Sequence, residues 1–176
     1  LDNPLKGNFK YFDWEEVSIA SEKVIISRTG FTNELGWEIY LRPENNAKKI
    51  GDLILEKGKR MGMMLTASPG FRGRRIEAGL LSAGRDFTKD RTPFSVGLGK
   101  FIDFDKGDFI GRDHLLKANK DCLTWGLRVK DSYALVDSDL SINNDKVGKV
   151  TSSTWSPYQV CGVSIVHMKN KSFGPG

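Results

Sequence analysis

The chain has 176 residues, of which 39% are hydrophobic and 28% charged, a balance that supports a folded core without staples and excludes disordered and fibrous classes. No run of about 18 apolar residues occurs, which excludes a membrane-spanning helix, and residues 1–20 lack the charged start, apolar centre and small-residue cleavage site of a signal peptide. The formal charge of +5 is spread along the sequence, as on a solvated surface, and no aromatic stacking platform accompanies it, so nucleic acid is not the expected partner.

In chain order, the first strong signal is the β-branched run at residues 24–27, followed by the turn-rich TGFTNELG and then GWEIYL. The pattern predicts two antiparallel strands joined by an irregular loop. In the second strand, Trp37, Ile39 and Leu41 alternate with Glu38 and Tyr40, so the first three are expected to face a core and the carboxylate and phenol to share the opposite face. Pro43 is expected to open a helix with Ala47, Ile50, Leu53 and Ile54 on one side and Lys48, Lys49, Lys57 and Lys59 on the other, ending near Gly58 and Gly62. The Ser68-Pro69-Gly70 turn then leads into a second helix over residues 74–81, and a third is expected over residues 112–120.

From Cys122 the texture changes to short strands, over residues 123–129, 146–152 and 158–167, with DSDLSINND as a polar link. The whole reads as an α+β protein: an antiparallel-sheet domain with covering helices over residues 1–120, then a small β-barrel over residues 121–176 that needs further strands to cover its edge. The start without Met and the abrupt KSFGPG ending suggest a piece of a longer protein, which would associate with itself or with its missing half.

Chemistry-bearing candidates are few. Glu38 and Tyr40 are either ligand groups, since a carboxylate can accept two N–H bonds from a planar heterocycle, or a plain solvent face. Arg72, Arg74 and Arg75 are read as lying at a helix start, where exposed N–H groups and guanidinium charge together suit an anion; the alternatives are surface charge and pairing with Glu77. Ser82 has no histidine in a nucleophile motif, which argues against a hydrolase. Cys122 and Cys161 have no CxxC spacing, and His114 and His167 no HExxH spacing, so buried thiols are expected and a metal site is not.

Three stretches carry a resemblance. ISRTGFTNELGWEIYL at residues 26–41, RIEAGLLSAGRDFTKDRTPFSVGLGKFIDFDKGDFIGRDHLL at residues 75–116 and VGKVTSSTWSP at residues 147–157 are similar to the glycine cleavage T-protein (aminomethyltransferase) family, in the same order and over most of residues 24–168. That resemblance implies a three-lobed fold around a tetrahydrofolate pocket, with this chain holding the later part of the folate-binding portion and most of a C-terminal β-barrel. It implies that Glu38 reads the pterin edge, that Phe31 packs beside the pterin where many members have Tyr, and, more weakly, that Tyr40 contributes. The family's catalytic Asp lies upstream of residue 1, so the resemblance assigns no catalytic residue in this chain and implies that the chain alone is inactive.

The departures point within the family. PGFRGRRIEAG puts Phe71 where glycine-cleavage members have Arg and Arg72 where they have Asp, with Arg72 or Arg74 available to supply the missing charge. RIEAGLLSAGRD and Trp155-Ser156-Pro157 look more like dimethylsulfoniopropionate demethylase, and GRDFTKDRTP resembles the folate domains of dimethylglycine and sarcosine dehydrogenases. Asp108 replaces the Cys of the iron–sulfur-maintenance relatives. The resemblance therefore implies a cytoplasmic, tetrahydrofolate-dependent transferase with an aminomethyl, N-methyl or S-methyl donor, in one branch served by a lipoyl carrier protein. The rival reading is a non-catalytic binding or regulatory module on the same fold.

Overall fold

The computed structural model describes residues 1, 2, 5 and 7–173. Residues 174–176, on which the expectation of an interrupted sheet partly rests, lie outside the described residues. The chain packs as two compact units, residues 1–71 and 72–176.

The first unit is a three-stranded antiparallel sheet of β1 (Trp14–Ile19), β2 (Glu22–Ser27) and β3 (Glu38–Tyr40), in that order, with one helix, α1 (Ala47–Lys59). Strand β1, which the sequence reading left out, turns directly into β2 through Ala20 and Ser21, both at positive φ, a two-residue hairpin whose twist suits the flanking strands. Val17 and Ile19 of β1 and Val24 of β2 meet Ile50, Leu53 and Ile54 of α1 in one apolar cluster. This is the core that the helical spacing of residues 47–54 anticipates.

Pro43 does not open α1. It lies in a turn in which the Asn45 side chain accepts from the Arg42 N–H at 2.7 Å, and Asn46 caps the helix by accepting from the Lys49 N–H at 3.0 Å. The Glu22 carboxylate accepts from the Asn46 N–H at 2.6 Å and Lys49 Nζ donates to the Ala20 carbonyl at 2.6 Å, so the helix start is tied to the β1–β2 hairpin. At the far end the Met61 and Met63 N–H groups both donate to the Gly58 carbonyl, and Gly62 takes the positive φ that stops the helix.

The second unit begins within α2 (Ser68–Glu77), so the expected Ser68-Pro69-Gly70 turn is the first turn of that helix, where proline is tolerated because its missing N–H has no intrahelical acceptor. α3 spans Arg112–Lys117 and is shorter than expected: Ala118 is extended, and Lys120 Nζ closes the helix end by donating to the carbonyls of Leu115 and Leu116. A four-stranded antiparallel sheet follows, of β4 (Thr124–Val129), β5 (Asp139–Ile142), β6 (Asp145–Ser156) and β7 (Cys161–Met168), in the order β4-β7-β6-β5.

The segment read as a polar link therefore contains a strand. Asn143 and Asn144, both at positive φ, turn β5 into β6, the asparagine use typical of tight hairpins. β7 starts at Cys161 and not at Tyr158, because residues 157–160 form the turn out of β6. Among the described residues β4 and β5 are the sheet's two edges, so these strands make an open sheet and not a closed barrel. Its inner face packs Val163 and Ile165 against Ile76 and Leu81.

Candidate functional site

β3 is a three-residue strand that, among the described residues, pairs with β2 alone, with Glu38 opposite Ser27 and Tyr40 opposite Ile25. The period of two does put Glu38 and Tyr40 on one face: the Tyr40 hydroxyl donates to Glu38 Oε2 at 2.9 Å, and the Thr29 hydroxyl donates to the same oxygen. Thr29 Oγ1 is also 3.1 Å from Ser27 Oγ, which links Ser27, Thr29, Glu38 and Tyr40 into one hydroxyl–carboxylate chain. Both bonds to Glu38 fall on Oε2; Oε1 has no hydrogen-bond partner among the described residues. The group is thus half-saturated, with its orientation fixed by two neighbours and one acceptor oxygen open.

The other face of this strand departs from expectation. Trp37 and Leu41 are 42% and 41% exposed, and Ile39 is also exposed, because the apolar cluster of this unit is built from β1, β2 and α1 and does not reach them. Trp37 instead packs beside Phe9, with ring centroids 5.1 Å apart, and under the Arg28 guanidinium at 4.9 Å, while Arg28 also donates to the Gly36 carbonyl at 3.2 Å. Phe31, in the same loop, is half exposed. The carboxylate and phenol that share the first face are groups able to hold a planar, hydrogen-bonding heterocycle.

The three arginines do not form a cluster at a helix start. They occupy the middle and last turn of α2 and part ways: Arg72 is exposed, Arg74 pairs with Glu77, and Arg75 is buried. Arg75 Nη1 lies 2.6 Å from Asp86 Oδ2 and donates also to the Leu80 carbonyl, while Nη2 donates to Ser152 Oγ at 2.7 Å. Asp86 accepts in addition from the Ser82 N–H at 2.8 Å, Thr151 Oγ1 at 2.7 Å and Ser152 Oγ at 2.6 Å. Burial alone would raise the Asp86 carboxyl, but the bonds from Ser152, the Ser82 N–H, Thr151 and Arg75 outweigh it and hold it below its ordinary range. Glu77 is likewise shared, between Arg74 and Ser156 Oγ.

The sequence reading missed this network. The signal was present in two of the motifs: Arg75, Glu77 and Asp86 stand in RIEAGLLSAGRD, and Thr151, Ser152 and Ser156 in VTSSTWSP. The two motifs are complementary halves of one buried polar contact that fixes α2 and the following loop on the sheet.

The family described as the GCVT N-terminal domain matches residues 2–106, and the chain belongs to this family, that of the glycine cleavage T-protein. It is 35% identical over 172 residues to the aminomethyltransferase of Caldanaerobacter subterraneus subsp. tengcongensis, covering 94% of this chain and 46% of that protein. It is also 35% identical over 139 residues to the trimethylamine-oxide aldolase of Ruegeria pomeroyi, covering 76% of this chain and 18% of that protein. The crystal structure of glycine cleavage system aminomethyltransferase T from Bartonella henselae is similar with a TM-score of 0.71 at 25% identity, over 82% of this chain and 41% of that one. The chain spans about half the length of the aminomethyltransferases it matches.

Among the described residues, no helix is long and apolar enough to cross a membrane, and no group of three or more His, Cys, Asp and Glu side chains is placed to hold a metal ion.

Proposed function

We propose that this chain is the pterin-holding part of a tetrahydrofolate-dependent one-carbon transferase that moves an aminomethyl or methyl group. Family membership and the aminomethyltransferase relatives support the reaction class. The observation that carries the binding role is the Glu38 carboxylate, oriented through Oε2 by Thr29 and Tyr40 with Oε1 open. The fit is chemical: an open carboxylate oxygen on a fixed strand accepts N–H bonds, and the pterin edge presents them.

When bound, tetrahydrofolate supplies the nitrogen that accepts the one-carbon unit. Glu38 anchors and orients the ring, Tyr40 and Thr29 keep the carboxylate from rotating, and exposed Phe31 offers an apolar face beside it. Such positioning is the chain's contribution to rate, since a fixed near-attack geometry lowers the barrier without proton transfer by these residues. The proton-handling Asp belongs to the segment that the family resemblance puts upstream of residue 1.

In this reading residues 1–120 belong to the folate-binding portion, and the open sheet of residues 121–176 is one wall of a β-barrel. The protein works in the cytoplasm, and a lipoyl carrier protein presents the donor if the donor is aminomethyl. The test is to incubate the whole protein with tetrahydrofolate and, in turn, an aminomethyl-loaded carrier, dimethylsulfoniopropionate and dimethylglycine, and to follow one-carbon-loaded folate by mass spectrometry. Folate-dependent product with one donor is expected. Tight folate binding without product from any of them would favour a regulatory module, and absence of both would overturn the proposal.

A further inference from the structure

Within the second unit, the loop between α2 and α3 borders two adjoining clefts that share Arg91 and Thr92. One, of about 460 Å³, is walled by Ala83, Phe87, Pro93, Val96 and Leu98. The other, of about 280 Å³, is walled by polar groups, among them Ser95, Asn119, Asp121 and His167. The volume of the first lies in the range of small-molecule sites, and its walls are the kind that take an apolar body.

Arg91 stands where the two clefts meet. It is half-buried, and among the described residues its guanidinium makes no ion pair and no side-chain hydrogen bond. A partly desolvated guanidinium without a carboxylate is costly, and its planar fork is matched by a bidentate anion. The acidic groups nearby do not neutralise it. Asp121 is engaged by the Asn119 side chain at 3.2 Å and by Lys171 at 3.5 Å, and Asp90 is exposed, where its field is screened. His167 turns Nδ1 to Thr124 Oγ1, 3.1 Å away. Burial and the charge of Arg91, against the opposing pull of Asp90, push the imidazole down to about 4, so at neutral pH it adds no positive charge and serves as a neutral hydrogen-bonding wall.

We propose that the joined clefts are a binding site for a small carboxylate with an apolar body, with the carboxylate held by Arg91 and the body in the cleft of Ala83, Phe87 and Val96. The site is built from residues of the second unit alone, and its test does not depend on the folate reading.

The experiment is calorimetric titration of the 176-residue chain with 3-phenylpropionate, its neutral counterpart 3-phenylpropanol, and acetate, at fixed ionic strength. The acid is expected to bind saturably and at least about tenfold more tightly than either of the others, since it alone has both halves. Arg91→Gln is expected to reduce the acid to the affinity of the alcohol. Ala83→Phe, made at an exposed position, fills the apolar cleft and leaves the guanidinium in place; it is expected to weaken the acid about tenfold with an unchanged melting temperature, and it decides the matter if Arg91→Gln does not fold. Equal affinity for acid and alcohol, no saturable binding of the acid, or unchanged binding in Ala83→Phe overturns the proposal.

Discussion

Arg75 and Asp86 form a buried ion pair, 2.6 Å apart, in which the carboxylate is fully enclosed and accepts also from the Ser82 N–H, Thr151 and Ser152. Removing one member leaves a buried charge uncompensated. Asp86→Ala strips the acceptor from Arg75, Thr151, Ser152 and the Ser82 N–H together, and is expected to cost about 3–5 kcal/mol in urea denaturation. The double variant Arg75→Met, Asp86→Leu should recover part of that loss. A cost below about 1 kcal/mol for Asp86→Ala would show that the network does not hold the loop to the sheet.

Acid should destabilise this fold in two stages. His167 is held neutral, with its folded value near 4 against an ordinary 6.5, so between these values the unfolded chain binds a proton that the folded chain does not. Stability is therefore full above about pH 6.5 and falls as pH drops toward 4, by roughly 1–2 kcal/mol once solvent screening is allowed for. Asp86 has the opposite chemistry and the same sign: its lowered carboxyl contributes stability above the ordinary carboxylate range and loses it as pH falls through the folded value. Thermal melts of His167→Gln should be flat over the upper stage and retain the lower one.

Two backbone positions give stability predictions of opposite sign. Val160, in the turn between β6 and β7, is β-branched and exposed yet sits at a φ of 51°. Val160→Asn should raise stability by about 0.5–1 kcal/mol, since asparagine tolerates that region and valine does not. A lower melting temperature would show that the side chain has a role the turn conceals.

At Gly162 the constraint is packing. A Cβ there would lie 2.6 Å from Tyr133 Cα and would meet the Ser132 carbonyl oxygen, both backbone atoms, so neither can swing away. Gly162→Ala is expected to cost at least about 2 kcal/mol in chemical denaturation, and a neutral result would mean that the loop after β4 that carries Ser132 and Tyr133 is free to move off β7.

Much of the fold was legible because local periodicity reports local burial. The spacing of Ile50, Leu53 and Ile54 found α1, and the alternation in residues 123–129 found β4. β5 escaped because its hairpin turn, Asn143-Asn144, and its polar strand together look like a loop. β1 escaped because its core-facing apolar residues, Val17 and Ile19, are only two. The face shared by Glu38 and Tyr40 followed from the period of two, but the same reasoning wrongly buried Trp37 and Leu41, since alternation says which residues share a face and not whether anything covers it. The two motifs that hold the Asp86 network stand out in the sequence, but its partners at 151 and 152 lie 65 and 66 residues away, and no local pattern reports that the motifs pair.

The central claim is that Glu38 anchors a pterin, and titration of tetrahydrofolate into the whole protein and its Glu38→Gln variant tests it most directly. Gln keeps the size and hydrogen bonds of the side chain toward Thr29 and Tyr40 but loses the charge that strengthens N–H bonds to the carboxylate. The expected loss is about 1–3 kcal/mol of binding energy, a factor of roughly 5 to 150 in affinity. An affinity unchanged by the substitution, in a variant that melts like the parent, would contradict the account.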